Sequence, residues 1–317
     1  MTYPLIPAQQ MPILDSFPEA PAGLLEERAL LKRVDSKFVA SLAGMARVLR
    51  RLRPHTALLR AAGEPLARYR TLYFDSPELH FARAHLRGRR PRHKVRIRHY
   101  LDRELTYLEV KRKTNAERTV KTRARLDFMQ SGLEGREEGL LSELIPIAPK
   151  SLRGAIWTNF ERITLLGLEE EERITIDLNL RFAPPEERPA AGRGEADSAQ
   201  NARRGRGPAP LEGSRRGGRK TTHEDLAAIT ILELKQRRHM PRSPLMLALR
   251  AEGLRPLSIS KYCAGVSLLH PETRIARFNP KLRAVRLIAR ARTPADLPPL
   301  DLDPSLEHRS VPCSPIS

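Results

Sequence analysis

The residues with the clearest chemical meaning are cations spaced two apart. Lys94, Arg96 and Arg98 lie in KVRIRHY, Glu109, Lys111 and Lys113 in TYLEVKRKT, and Lys121 and Arg123 in RTVKTRARL. Arg173, Thr175, Asp177 and Asn179 follow in ERITIDLNL, and Glu233 and Lys235 in ILELK. Successive side chains of a strand point to opposite faces, so each set shares one face. The other faces carry Val95 and Ile97, Leu108 and Val110, Ile174, Ile176 and Leu178, and Leu232 and Leu234. An amphipathic sheet in solvent explains any one of these strands. It does not explain polar faces that are mainly cationic in all of them, because like charges ~4 Å apart repel by roughly 4 kcal/mol at an effective dielectric near 20. Such faces call for a polyanion, gripped along its length by charge-assisted hydrogen bonds. The isolated carboxylates among them could hold a metal.

What is missing is also informative. There is no Ser–His–Asp set and no histidine grouped with carboxylates. Gly218–Lys220 lacks the spaced glycine and strand–helix context of a P-loop. Transfer between phosphates needs alignment and charge stabilisation more than a base.

Positioning such faces takes a sheet. Strands are expected near Arg33–Val39, Tyr69–Asp75, Lys94–Tyr100, Leu105–Arg112, Arg118–Arg125, Thr158–Leu165, Arg173–Leu180 and Ile229–Lys235. Helices are expected at Ser41–Leu52, Glu137–Leu144, Pro244–Glu252 (ended by Gly253) and Ser260–Leu269. Eight strands suffice to close a barrel. The apolar faces would then pack outward against helices, and the charged faces would line a wet tunnel. The expected class is α+β, an antiparallel eight-stranded β-barrel tunnel with helices packed outside. Tyr73 and Phe74 read as core, His93, His99 and His239 as surface, and Arg33 and Lys94 as surface cations. Asp177 reads equally as a metal ligand or as a group orienting Arg173.

One domain is expected over 25–270, after a flexible Pro-rich segment 1–24. A disordered insertion at 183–222 has Leu211 as its only large aliphatic residue, and Arg203, Arg204, Arg206, Arg215, Arg216 and Arg219 within it read as solvated. The extension 271–317 is expected to be largely disordered after about 292. The 317 residues are 40% hydrophobic, enough for a core, and their formal net charge of +20 predicts an anionic partner. Cys263 and Cys313 offer neither a disulfide framework nor zinc spacing. That, with no membrane-length apolar run and no signal peptide, points to the cytoplasm. Aromatics are 5% of the chain and nearly absent from the predicted cationic faces, which disfavours nucleic acid because stacking platforms are missing.

The strings RVDSKF, YRTLYFDSPEL, KVRIRHY, TYLEVKRKT, RTVKTR, NFERITL, ERITIDLNLRF, ILELK and SISKYCAG, in that order, resemble a VTC domain. This is the polyphosphate polymerase branch of the triphosphate tunnel metalloenzymes, the CYTH superfamily. The likeness runs from about Glu27 to Leu269 and is similar to a bacterial, stand-alone version. It implies a tunnel that binds ATP and Mn²⁺ or Mg²⁺ and transfers the terminal phosphoryl group onto a growing polyphosphate chain. It implies phosphate contacts from Lys37, Arg96, Arg98, Lys111, Lys121, Arg123, Arg162, Arg173, Lys235 and Lys261. Arg96, Arg98, Lys121 and Glu233 would form the catalytic set, with metal on Glu233 and Glu109. Arg33-Val34-Asp35-Ser36-Lys37 departs from the Glu-x-Glu-x-Lys of the hydrolase members, which favours the polymerase. Ser258 stands where eukaryotic members carry another lysine. A triphosphatase and a non-catalytic polyphosphate binder are the alternatives, and association with a separate membrane protein stays open.

Overall fold

Alternation of apolar and charged residues produces strands where the sequence places them. In the computed structural model, which describes residues 11–29, 33–115, 119–185, 226–270 and 278–290, the strands are β1 (Val34–Ser41), β2 (Thr56–Leu58), β3 (Ala67–Asp75), β4 (Arg92–Tyr100), β5 (Leu105–Lys113), β6 (Thr119–Leu126), β7 (Arg153–Gly167), β8 (Glu172–Ala183) and β9 (Ile229–Gln236). The short β2, not anticipated, pairs with the far end of β7. All pairings are antiparallel, in the order β1-β9-β8-β7-β3-β4-β5-β6. The ladder does not close by hydrogen bonds, since among the described residues β1 and β6 are its two ends. Curvature encloses the lumen instead. Lys37 on β1 and Glu233 on β9 act electrostatically on Lys111 of β5, far away along the ladder.

The helices are α1 (Leu24–Glu27), α2 (Leu42–Leu52), α3 (His80–Leu86), α4 (Arg136–Leu144), α5 (Pro244–Ala251), α6 (Lys261–Leu269) and α7 (Asn279–Arg290). Serine side chains cap three of them: Ser41 for α2, Ser243 for α5 and Ser260 for α6. Gly253 follows α5 at φ 65°, a left-handed position that suits glycine. The sequence reading missed α3 because its cap is not the residue before it. Asp75 reaches forward from the end of β3 and accepts from Phe81 N at 2.8 Å and Ala82 N at 2.9 Å. It also missed α7, which buries Ala284, Val285 and Ile288.

Packing follows the two faces of the sheet. On the outside, Met45, Val48 and Leu49 of α2 and Leu245 and Leu249 of α5 cover Ile163, Ile174, Ile176, Leu232 and Leu234. Phe81 of α3 and Leu141 of α4 cover Leu72, Phe74, Val95, Ile97 and Leu108. On the inside, α6 and α7 fill one end of the barrel. Tyr262, Cys263, Val266, Val285 and Ile288 pack there on Val39, Tyr73, Ile156, Phe182 and Ile231. Gly265 permits this seating, because a Cβ there would strike the Phe182 and Ile156 side chains.

Several sequence-based expectations need correction. His93 and His99 are buried, 6% and 0% exposed, since they share the outer apolar face with Val95 and Ile97; His239 is exposed as expected. Tyr73 and Phe74 are core as expected, Tyr73 on the inner face and Phe74 on the outer. In the segment read as flexible, Leu14 and Phe17 pack into the core beside Phe38. Residues 186–225, with the insertion arginines, and those from 291 onward lie outside the described residues.

Candidate functional site

Two carboxylates hold five of the lumen cations. The first is Glu109, 1% exposed, opposite Arg96 on β4 and Arg123 on β6. Arg96 donates to Glu109 Oε2 from Nε at 2.7 Å and sets NH2 2.6 Å away. The Lys121 ammonium meets Oε1, and Arg98 NH1 stands 4.0 Å from Oε2. Burial pushes the Glu109 carboxyl up, but Arg96, Arg98 and Lys121 outweigh it and hold it well below the usual carboxylate range. Arg96 also donates from NH1 to Tyr73 Oη at 3.1 Å. Arg98 donates from Nε to Thr71 Oγ1 at 3.2 Å.

The second is Asp177 on β8. Arg162 of β7 grips it with Nε at 2.6 Å on Oδ1 and NH2 at 2.9 Å on Oδ2, and the Lys261 ammonium from the start of α6 meets Oδ2. The pairing joins two strands and a helix. Burial again works against the charge and loses to Arg162 and Lys261, so the carboxyl is held low. Asp177 therefore orients Arg162 and Lys261 and not Arg173. Arg173 lies across from Lys235 and Leu166, with its buried Nε lacking a hydrogen-bond partner among the described residues.

Between these clusters stands Glu233. It is opposite Lys37 on β1 and Thr175 on β8, and 3.8 Å from Lys235 Nζ. Its side chain is 23% exposed, against 1% for Glu109 and 3% for Asp177. Burial raises its pKa, but Lys37, Lys235 and Arg162 bring it down to about 2. Asp35, opposite Lys235, pairs with Arg33 at 2.9 Å.

The phosphate-binding cations named from the sequence thus share the inner face, in two locked groups plus Lys37, Lys111, Arg123, Lys235 and Arg173. Lys94, set aside from the sequence, belongs with them. Its ammonium donates to Ser260 Oγ at 2.9 Å. Burial lowers the Lys94 pKa first, Cys263 and Tyr73 oppose, and the result is about 8. Burial also brings Lys235 to about 8, against the pull of Glu233.

The lumen is not bare of aromatics, contrary to expectation. Arg98 lies over Tyr69 at 5.5 Å, Arg162 over Tyr69 at 5.1 Å, Lys261 over Phe160 at 4.5 Å and Arg123 over Tyr107 at 4.9 Å. These rings brace the cations. Tyr69 and Tyr73 were hidden because β3 carries aromatics on both faces, with Phe74 outside.

A divalent cation fits this site in a restricted way. Among the described residues, no three His, Cys, Asp or Glu side chains gather to hold one. Both Glu109 oxygens face cations, so in this arrangement Glu109 serves as their counter-ion and not as an open metal ligand. Glu233 is the better donor, and Mg²⁺ or Mn²⁺ needs only one or two carboxylates where phosphate oxygens complete the shell.

Residues 32–270 match the family model described as the VTC domain. No curated protein matches the sequence significantly. Among solved structures the chain is similar to a candidate adenylyl cyclase from Hippeastrum with a dominant triphosphatase activity, at 12% identity and a TM-score of 0.44, covering 74% of this chain and 95% of that one. It is also similar to a candidate adenylate cyclase from Bacillus halodurans, at 13% identity and a TM-score of 0.33, covering 46% and 72%. A Pyrococcus horikoshii protein matches at 10% identity and a TM-score of 0.33, covering 77% and 97%.

Proposed function

The chain belongs to the VTC domain family, and from that premise we propose that it is a metal-dependent phosphotransferase that moves the terminal phosphoryl group of ATP onto a growing polyphosphate chain. The observation that carries this reading is the lumen itself: cations held in place by Glu109 and Asp177, facing the more open Glu233. Fixed cations need not reorganise as charge shifts between phosphates, and such preorganisation is the main catalytic resource in phosphoryl transfer.

Arg96, Arg98, Lys121 and Arg123 would take one stretch of phosphate oxygens. Arg162, Lys261, Lys37, Lys111, Lys235 and Arg173 would take the next. A divalent ion on Glu233 would supply charge neutralisation between adjacent phosphates. The acceptor, a phosphate chain end, is already ionised, in keeping with lumen carboxyls at Glu109, Asp177 and Glu233 that the surrounding cations hold in the charged form.

The test is to incubate the protein with γ-labelled ATP and Mn²⁺ or Mg²⁺, beside Glu233→Gln, and resolve products by length. A metal-dependent ladder that the variant lacks is the expected result. Free phosphate without a ladder would replace the polymerase by a triphosphatase, and binding without turnover would leave a binding module. Glu233→Gln should also bind tripolyphosphate more tightly than wild type when metal is absent, since it removes an anion from a cationic cavity. Weaker binding would remove Glu233 from the phosphate path.

A further inference from the structure

Tyr73 carries a hydrogen-bond donor without an acceptor. Its side chain is buried on the inner face, opposite Arg96 in the β3–β4 register, and stacks on Tyr262 with ring centroids 4.7 Å apart. Tyr262 donates its own hydroxyl to Asp75, the carboxylate that holds the start of α3. The Tyr73 ring is therefore fixed from behind. Its oxygen accepts from Arg96 NH1 at 3.1 Å. That bond uses a lone pair and leaves the hydroxyl hydrogen with no acceptor among the described residues. An unmet donor in a buried position is costly, so a bound group is expected to meet it. The surroundings indicate which kind. Arg96, Arg98 and Lys94 face the phenol from β4, and Tyr262 and Cys263 of α6 lie alongside, with Asp75 beyond Tyr262. An acceptor in a place flanked by three cations is best an anionic oxygen.

We propose that Tyr73 is a substrate-contacting residue whose hydroxyl donates to an oxygen of the innermost phosphate in the lumen, beside the oxygen taken by Arg96. The proposal rests on the phosphate-binding reading of the lumen and adds to it a neutral donor among cations. A phenol that donates to phosphate must stay protonated, and bound phosphate repels the phenolate. Burial pushes this phenol up, but Arg96, Arg98 and Lys94 bring it down to about 8 in the ligand-free protein. Occupancy should reverse that shift.

The experiment is an ultraviolet phenolate titration of the full chain, metal-free, with and without saturating tripolyphosphate, beside Tyr73→Phe. One tyrosine should ionise with a midpoint near 8 in the free wild type and be missing from Tyr73→Phe. Tripolyphosphate should move that midpoint upward by more than about one pH unit, which is a tenfold or greater coupling. Calorimetry should show Tyr73→Phe, which keeps the ring stack, binding tripolyphosphate about tenfold more weakly. If tripolyphosphate binds wild type but the tyrosine midpoint does not move, the contact is overturned while the lumen reading stands. If tripolyphosphate does not bind wild type at all, the lumen reading fails and the Tyr73 contact fails with it.

Discussion

Phosphate binding by this protein should consume protons, and the number can be worked out in advance. Lys94 and Lys235 both sit near pKa 8 in the ligand-free lumen, chiefly through burial. A phosphate chain stabilises the ammonium form and lifts each pKa toward its ordinary value. Binding at pH 8 should then take up about half a proton per lysine, or about one in total. Tyr73 titrates in the same range, so the measurement belongs in the Tyr73→Phe background. The probe here is metal-free ATP, whose single terminal phosphate, with a last pKa of about 6, is ionised at this pH and adds little; the two ends of tripolyphosphate lose their last protons in turn, the second close to the working pH. The sign is that affinity falls as pH rises. Between pH 7 and 9 each lysine should weaken ATP binding by about tenfold, and both together by about a hundredfold. Isothermal calorimetry in two buffers of different ionisation enthalpy reads the uptake directly. Lys94→Met and Lys235→Met should each remove about half of it. Uptake near zero at pH 8, or uptake undiminished in both variants, would refute the placement of these lysines on the phosphate path.

Two further substitutions probe the scaffold. Asp177→Asn leaves Arg162 and Lys261 without their shared anion and should lower the unfolding free energy by about 3–5 kcal/mol, read from urea midpoints. The folded Asp177 pKa is depressed, so its contribution is fully present above about pH 4 and lost as pH falls toward the folded value. Asp177→Asn should accordingly flatten the acid limb of stability. Gly265→Ala meets Phe182 and Ile156 and should cost about 1–3 kcal/mol in thermal or urea unfolding. Because Gly265 lies one turn from Lys261, the same change should weaken tripolyphosphate binding. Unchanged binding would mean that α6 does not position Lys261.

The sheet was legible because its alternation is strict. β4, β5, β8 and β9 keep charge on one face and branched apolar residues on the other, and their ends fall within a few residues of those expected. What the sequence hides is pairing across the lumen. Nothing local tells Asp177 to take Arg162, directly across the β7–β8 ladder, instead of Arg173 on its own strand. The irregularity between Asn159 and Glu161 adds to this, since it shifts the β7–β8 register. β3 misled for another reason. Arg70 is a charged residue on the outer face, held 4.1 Å over Trp157, while Tyr73 is an aromatic on the inner one. Tyr73 is core as read, and what the sequence hid is that its hydroxyl also meets Arg96.

The open ladder has a topological consequence. A ring of strands closed by hydrogen bonds can be entered by a polymer only end-on, as thread enters a needle. Here β1 and β6 end the ladder, with no backbone pairing between them among the described residues. Lys121 and Arg123 lie on β6 at that opening and, with Lys111, are the exposed members of the cation set. Parting β1 from β6 would break none of the pairings along the eight-strand path. If the lumen holds polyphosphate as proposed, a long chain, even one with both ends held elsewhere, would have a lateral way in, like a cable pressed into a slotted clip.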